Sequence, residues 1–106
     1  MENTTIEIVS MLGNPACVEE KDGQIVFESI KTALSEGKTV ILSFSKVEML
    51  AAEFLTSAIG QLYREFPAQQ IKEHLHIEDL SLTGAVLLKR VVNTAKIQYK
   101  NPEILN

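Results

Sequence analysis

The sequence has few of the residues that mark an extracellular, membrane-bound or disulfide-stabilised protein. It contains one cysteine, no tryptophan, three prolines and five glycines among 106 residues. The single cysteine, Cys17, cannot form an internal disulfide, which is typical of the reducing cytoplasm. No stretch approaches the roughly 18 consecutive apolar residues of a membrane helix, and the polar N-terminus lacks the basic and apolar regions of a secretory signal. We therefore expect a cytoplasmic domain of bacterial type that does not enter a membrane.

An excess of positive charge is also missing. Ten Lys and Arg residues against fourteen Asp and Glu residues give a formal net charge of −4 and a pI near 5.1. Basic residues are concentrated only at Lys89, Arg90, Lys96 and Lys100, where cations near the end of a helix suit its dipole. A nucleic-acid-binding domain normally carries a basic patch or stripe. We therefore expect no nucleic-acid partner.

The composition is typical of one folded domain. Hydrophobic residues make up 45% of the chain and charged residues 23%, so the chain has enough apolar surface to bury a core. A length of 106 residues suits a single small domain, and the sequence contains no internal repeat, low-complexity tract or linker. We predict one domain over residues 1–106, with a loosely ordered C-terminal tail from about residue 101.

The first part of the chain predicts a strand, a turn, a short strand and a helix. Thr5–Leu12 combines alternating and continuous apolar residues and ends at a Gly-Asn-Pro turn, which indicates a strand. The following Ala16-Cys17-Val18 predicts a very short second strand. Apolar residues spaced four and seven apart then predict a helix, with Asp22 as its N-cap and Gly37 just beyond its C-terminal end.

The remaining chain predicts two more strands and two more helices. The β-branched and apolar segment Lys38–Phe44 is typical of a central strand covered on both faces. Proline ends the next helix, and a serine is the expected N-cap of the last one. The predicted elements are the strand Lys38–Phe44, a helix at Ala51–Phe66 ended by Pro67, a linker at Ala68–Glu73, a strand at His74–Ile77 extended by Glu78, and a helix at Ser81–Ala95 capped by Ser81.

Strands that alternate with helices indicate an α/β fold with right-handed crossovers. We predict a mostly parallel or mixed sheet of about four strands with three helices. Open sheets of this kind bind their ligands at the carboxyl ends of the strands, so the strand, loop and helix at Thr39–Tyr63 form the candidate site. This segment offers neither a glycine-rich phosphate loop nor an obvious nucleophile. The sequence therefore favours a binding or regulatory module over an enzyme.

The segment Val40–Leu62 resembles STAS domains, which include the anti-sigma-factor antagonists. It is more similar still to the group described as STAS-like domains of unknown function. Three features carry the resemblance: a glycine at Asp22-Gly23, a strand that ends at Ser43-Phe44, and a small-small-x-Phe motif at Ala51–Phe54. The resemblance implies a small STAS-like α/β fold and a non-catalytic regulatory role. It also implies a partner that is a histidine-kinase-like ATPase or an anti-sigma-type protein.

The resemblance further implies that the usual phosphorylation site is missing. In anti-sigma-factor antagonists the helix begins Asp-Ser-Ser-Gly, and a partner kinase that also serves as the anti-sigma factor phosphorylates the first serine. On this chain that serine falls at Ala52, which has no hydroxyl, and the second falls at Glu53. A carboxylate at a helix start interacts favourably with the helix dipole. Glu53 is thus either a fixed substitute for the phosphate charge or simply a residue that stabilises the first turn.

We predict that a protein partner binds the loop after the strand and the exposed face of the next helix. Partner switching is the expected mechanism. Thr56 and Ser57 are substitute phosphoacceptors, or else ordinary solvated hydroxyls. The predicted partner-binding residues are Ser45, Lys46, Glu48, Ala52, Glu53, Thr56 and Ser57.

Other functions have less support from the residues. The alternative function is a small-ligand or nucleotide sensor that uses the same strand ends, although no phosphate loop is present. An enzyme would require Glu53 to act with His74 or His76, the one acid–base set that can be assembled, and we predict no catalytic residue. These histidines would share one face of a strand, but spacing identifies no third metal ligand. We expect no metal and no cofactor.

Two further expectations concern Cys17 and self-association. Acidic neighbours oppose a thiolate at Cys17, so we expect a buried or unreactive thiol. A first strand at Thr5–Leu12 would lie at the edge of the sheet. An edge strand can pair with a second copy of the chain, so a homodimer stays an open expectation.

Overall fold

The computed structural model of the protein describes residues 2–100, and the tail predicted to be loosely ordered lies outside them. Within those residues the chain forms five short strands and five helices that largely alternate along the sequence. The elements are β1 (Asn3–Glu7), α1 (Ile8–Leu12), β2 (Ala16–Cys17), α2 (Glu20–Ser35), β3 (Thr39–Ser43), β4 (Met49–Leu50), α3 (52–65), α4 (Ala68–His74), β5 (Leu75–Glu78) and α5 (Leu82–Lys100).

The strands form two parallel sheets. The main sheet has the order β1-β3-β5, and the second sheet pairs β2 with β4. Parallel neighbours need crossover connections, which α2 and the α3–α4 segment provide in the main sheet. The predicted α/β class, the mostly parallel sheet and the central position of β3 are confirmed. The predicted number of helices is too low, because two short helices were not recognised.

One face of the main sheet is fully covered and the other only in part. Val40 and Leu42 of β3 are fully buried against the helices. The opposite face carries Thr5, Ile41 and His76 in register across the three strands, and there Thr5 and His76 are exposed and Ile41 is half-buried. The prediction that the central strand is covered on both faces holds at its buried ends, Thr39 and Ser43, but not at the half-buried Ile41. Polar residues on the outer strands let this face meet water.

The first predicted strand is too long, because it ends at Glu7 and a single helical turn replaces its second half. β1 pairs with β3 over five residues, and its partner strand ends at Ser43. Beyond that point an extended chain would have no neighbour in the sheet. The segment instead turns at Ile8, which is fully buried, and Gly13 ends the turn with a φ of 69°. Apolar β-branched residues at this place predict a strand only where a partner strand exists.

Helix α2 begins two residues before the predicted N-cap. Its N-cap position is Glu19, which makes no side-chain capping hydrogen bond, so the assignment of Asp22 is wrong. Asp22 lies in the first turn, where a negative charge suits the helix dipole. Gly37 follows the helix with a φ of 78°, as predicted. That left-handed conformation is freely available to glycine.

A short helix replaces the predicted linker, and the last helix is longer than predicted. The segment predicted as a linker forms α4, and Pro67 occupies its N-cap position. Proline with its fixed φ is compatible with a helix start, so one proline ends α3 and begins α4. Helix α5 runs to Lys100 instead of Ala95. The hydroxyl oxygen of Ser81 accepts the backbone N–H of Gly84 at 3.0 Å, which confirms the predicted cap.

Helix α3 has a wider turn in its middle. An α-helical turn at Ala52–Leu55 leads into a π-helical turn at Thr56–Gly60, and a second α-helical turn follows at Leu62–Glu65. The N–H of Gln61 donates to the carbonyl oxygen of Thr56 at 3.2 Å, which is the five-residue bond of a π-turn. The prediction of one helix here holds for its extent but not for its geometry.

Helices α2 and α3 touch almost backbone to backbone at Gly23. A Cβ atom on Gly23 would lie 2.5 Å from the carbonyl oxygen of Phe54, 2.7 Å from the Cβ of Ser57 and 3.1 Å from the backbone nitrogen of Ala58. All of these partners are buried. The two helices can come this close because Gly23 has no side chain and because the facing turn of α3 carries small residues.

We expect Gly23→Ala to destabilise the domain by about 1–3 kcal/mol, because the added methyl group meets backbone atoms that must move. Chemical denaturation measures this as a lower free energy of unfolding. Gly60→Ala is the matched control, since a Cβ there comes no closer than 3.6 Å to another atom. Equal stability of the two variants would contradict the packing argument.

Candidate functional site

The structure places five of the seven predicted partner-binding residues on two separate surfaces. The first, which we call the helix groove, lies between α2, α3 and the end of α5, and contains Ala52, Glu53, Thr56 and Ser57. The second, which we call the strand-end pocket, lies at the carboxyl ends of β3 and β5 and contains Glu48. Ser45 and Lys46 lie in the loop after β3 and line neither surface.

The helix groove is an open depression of about 560 Å³. Its walls carry both charge signs and one aromatic ring. Ala52, Glu53 and Thr56 are exposed on its α3 side because they face away from the buried Phe54 and Leu55. The other wall residues are Glu20 and Gln24 of α2, Gln61 and Arg64 of α3, and Tyr99 of α5.

Ser57 lies at the bottom of the helix groove and is only 4% exposed. The side-chain amide of Gln61 donates to the carbonyl oxygen of Ser57 at 2.9 Å and to the side-chain oxygen of Gln24 at 2.7 Å. This amide therefore ties α2 to α3 directly above the serine. Thr56, by contrast, is exposed. The two hydroxyls proposed as substitute phosphoacceptors thus differ in access to an enzyme.

Arg64 and Tyr99 form one end of the helix groove. The Arg64 guanidinium lies 6.0 Å from the centre of the Tyr99 ring, within the range of a cation–π contact. The same guanidinium donates to Glu65 at 3.2 Å, and this bond, with the nearby Lys31, lowers the pKa of Glu65. The Glu65 carboxylate therefore partly balances the positive charge of Arg64. Sequence analysis did not identify Tyr99, because the predicted last helix ended before it.

The strand-end pocket is smaller, at about 260 Å³. The hydroxyl of Ser43 donates to the carboxylate of Asp79 at 3.3 Å and accepts the backbone N–H of Ser45 at 3.2 Å. These bonds join the loops that follow β3 and β5. Asp79 lines the pocket beside Glu48. Sequence analysis did not assign Asp79 to the site, although its place directly after β5 is the signal that the strand-end rule provides.

The two histidines do not form a pair on one strand. His74 is the last residue of α4, and its Nδ1 atom lies 3.0 Å from the hydroxyl oxygen of Thr39. His76 is exposed on β5. The interpretation that both imidazoles share a strand face is therefore wrong, because the strand begins at Leu75. Among residues 2–100 no group of three His, Cys, Asp or Glu side chains is placed to hold a metal ion.

A sequence model of a family described as STAS-like domains of unknown function matches residues 22–85. The match runs from the start of α2 to the start of α5 and includes all the residues predicted to bind a partner. Comparison with curated proteins and with solved structures gave no match. In the described part of the chain, no helix has both the length and the apolar character needed to cross a bilayer.

Cys17 has no exposed surface, and this burial, together with the negative charge of Asp22, raises the pKa of its thiol to about 11. We expect the native protein to react very slowly with Ellman's reagent below pH 9, and the unfolded protein to react fast. Between about pH 9 and pH 11 the unfolded thiol ionises while the native one does not, so native stability falls across this window. Fast labelling of the native protein would contradict the buried placement.

Proposed function

The chain belongs to the family of STAS-like domains of unknown function, and we propose that it is a non-catalytic regulatory module that binds a protein partner through the helix groove. The observation that carries this proposal is the exposed face of α3. Ala52, Glu53 and Thr56 are exposed together, at the start of the helix where the related antagonists carry their regulatory serine. The groove is wide and open, and its walls carry polar and charged side chains, as the rim of a transient protein interface does.

A non-catalytic role is supported by the chemistry of the groove. Its hydroxyls are those of Thr56, Ser57 and Tyr99, and its ionisable acids are Glu20 and Glu53. The described lining contains no histidine, lysine or cysteine that could serve as a base or nucleophile next to a hydroxyl. Ser57 is buried beneath the Gln61 amide. The groove is better suited to contact a surface than to activate a substrate.

By resemblance, the partner is a histidine-kinase-like ATPase or an anti-sigma-type protein in the cytoplasm, and the mechanism is partner switching. Ala52 removes the hydroxyl that would carry the regulatory phosphate. A phosphate would add nearly two negative charges, whereas Glu53 supplies one that is permanent. We infer that Glu53 keeps this surface in one charge state, so that binding depends on the partner's state rather than on phosphorylation at this position.

Reversing the charge of Glu53 is expected to weaken binding. Calorimetry with a purified histidine-kinase-like ATPase that binds the wild-type chain should show that Glu53→Lys lowers the affinity at least about tenfold, because charges at an interface set partner choice. Glu73→Lys on α4 is the matched control. It makes the same charge change at an exposed carboxylate that lines neither the helix groove nor the strand-end pocket. Equal affinity of wild type and Glu53→Lys would refute the proposed surface.

Phosphorylation by such an ATPase, if it occurs in this helix, is expected on Thr56 and not on Ser57. A kinase can reach an exposed hydroxyl on the native domain, whereas Ser57 becomes accessible only when α2 and α3 separate. Mass spectrometry after incubation with ATP and the ATPase locates the phosphate. Thr56→Ala should abolish the modification and Ser57→Ala should not. A phosphate on Ser57 of the folded protein would overturn this expectation.

The alternative function is a small-ligand or nucleotide sensor. One observation favours it, and that observation supports a small ligand but not a nucleotide. The strand-end pocket lies where open parallel sheets bind small molecules. It has no lysine, arginine or glycine-rich loop facing a phosphate among its described lining residues. A negatively charged nucleotide is therefore poorly suited to this pocket, and a ligand without negative charge suits it better.

A further inference from the structure

The strand-end pocket has an apolar floor. Phe44, Leu50, Leu80 and Leu87 line it, and the Phe44 side chain is only 3% exposed. The pocket lies between the loop that joins β3 to β4 and the loop that joins β5 to α5. Apolar walls with a few polar groups are the usual construction of a small-molecule site. At about 260 Å³ the cavity admits a short alkyl chain or a single apolar side chain.

The charge of the pocket is of one sign. The carboxylates of Glu48 and Asp79 both line it, and its remaining polar contacts come from Ser81 and Thr83. Among the described lining residues there is no lysine, arginine or histidine. Lys46 is exposed in the same loop as Glu48 but does not line the cavity. A phosphate or carboxylate would be repelled here, whereas a cation would be attracted.

The carboxylate of Asp79 is exposed at the rim of the pocket, where one hydrogen bond and the local backbone conformation restrain it. Asp79 has a φ of 60°, which is an uncommon conformation for a residue other than glycine. Its side chain accepts a hydrogen bond from the buried Ser43, and the backbone N–H of Phe44 donates to the carbonyl oxygen of Glu78 at 2.9 Å. Lys46, in the facing loop, also has a positive φ of 69°. Such conformations concentrate at binding sites, where a fixed side chain loses little freedom on binding.

We propose that the strand-end pocket binds an apolar group that carries an ammonium or guanidinium ion. The apolar part lies against Phe44, Leu50 and Leu87, and the cation lies at the rim beside Glu48 and Asp79. This chemistry is shared by a free alkylamine and by a peptide in which an apolar residue adjoins lysine or arginine. The site is separate from the helix groove, so this proposal can be tested independently of the proposed partner-binding surface.

Nuclear magnetic resonance titration of the full chain tests the proposal. The probes are hexylammonium, hexanoate and the dipeptide acetyl-Leu-Arg-amide. We expect hexylammonium to shift the backbone amides of residues 47–50 and 79–84 saturably, and hexanoate at the same concentration to leave them unchanged. If the dipeptide binds more tightly than hexylammonium, the natural ligand is a peptide segment, and the reverse order indicates a free amine.

Two variants separate the roles of charge and shape. Asp79→Asn keeps the hydrogen-bond acceptor for Ser43, and asparagine tolerates a positive φ. Its affinity for hexylammonium should fall about fivefold. Gly84→Ala should weaken binding of both hexylammonium and the dipeptide, because its Cβ would lie 2.6 Å from Leu80 and 3.2 Å from Leu50, two side chains of the floor. Glu73→Gln, which neutralises an exposed carboxylate that lines neither the strand-end pocket nor the helix groove, is the control and should bind as the wild type does.

The proposal fails on either of two results. Equal shifts with hexanoate and hexylammonium would show that charge does not select the ligand. Unchanged hexylammonium affinity in the double variant Glu48→Gln with Asp79→Asn would show that the rim carboxylates do not contact it. Amide spectra of each variant without ligand establish that the fold is intact, so that a loss of binding reports on the pocket.

Discussion

The close contact of α2 with α3 at Gly23 is the constraint on which the rest of the structure depends. No side chain separates the two helices there, since a Cβ would collide with the carbonyl oxygen of Phe54. This approach fixes which side of α3 faces the core and which side faces outward. Ser57 and Ala58 are therefore buried, while Glu53 and Thr56 are exposed. The glycine that is part of the family resemblance thus has a structural reason: it sets the outward face of the helix that forms the groove.

The π-turn belongs to the same constraint. A regular α-helix places residues every 100° around its axis, and one extra residue per turn rotates everything that follows. In α3 the wider turn begins at Thr56, directly where α2 is closest. The contact at Gly23 fixes how the residues before Ile59 are oriented around the helix axis. The wider turn rotates the residues that follow, so that Ile59 and Leu62 remain buried. Wide turns of this kind recur at functional sites, and here the turn forms part of the groove wall.

Local signals predicted the elements that local chemistry decides. A β-branched run predicted β3, Gly37 the end of α2, and Ser81 the start of α5, because each depends on a few neighbouring residues. The elements that were predicted wrongly depend on residues that are distant in the sequence. The end of β1 is set by the length of its partner strand, and α4 by a proline that begins a helix as well as ending one. For the site, the sequence placed the loop and α3 together, but only packing reveals that Glu48 and Glu53 point into different cavities.

The two cavities differ in chemistry although a short stretch of chain joins them. Leu50 lines the strand-end pocket and Ala52 lines the helix groove, with one residue between them. This link is held in place by β4, where Leu50 pairs with Cys17 and the N–H of Ala51 donates to the Cys17 carbonyl oxygen at 3.0 Å. The pocket combines apolar side chains with two carboxylates, and the groove carries both charge signs. One surface therefore suits a small cationic group and the other an extended partner, and the buried Cys17 strand keeps their geometry fixed.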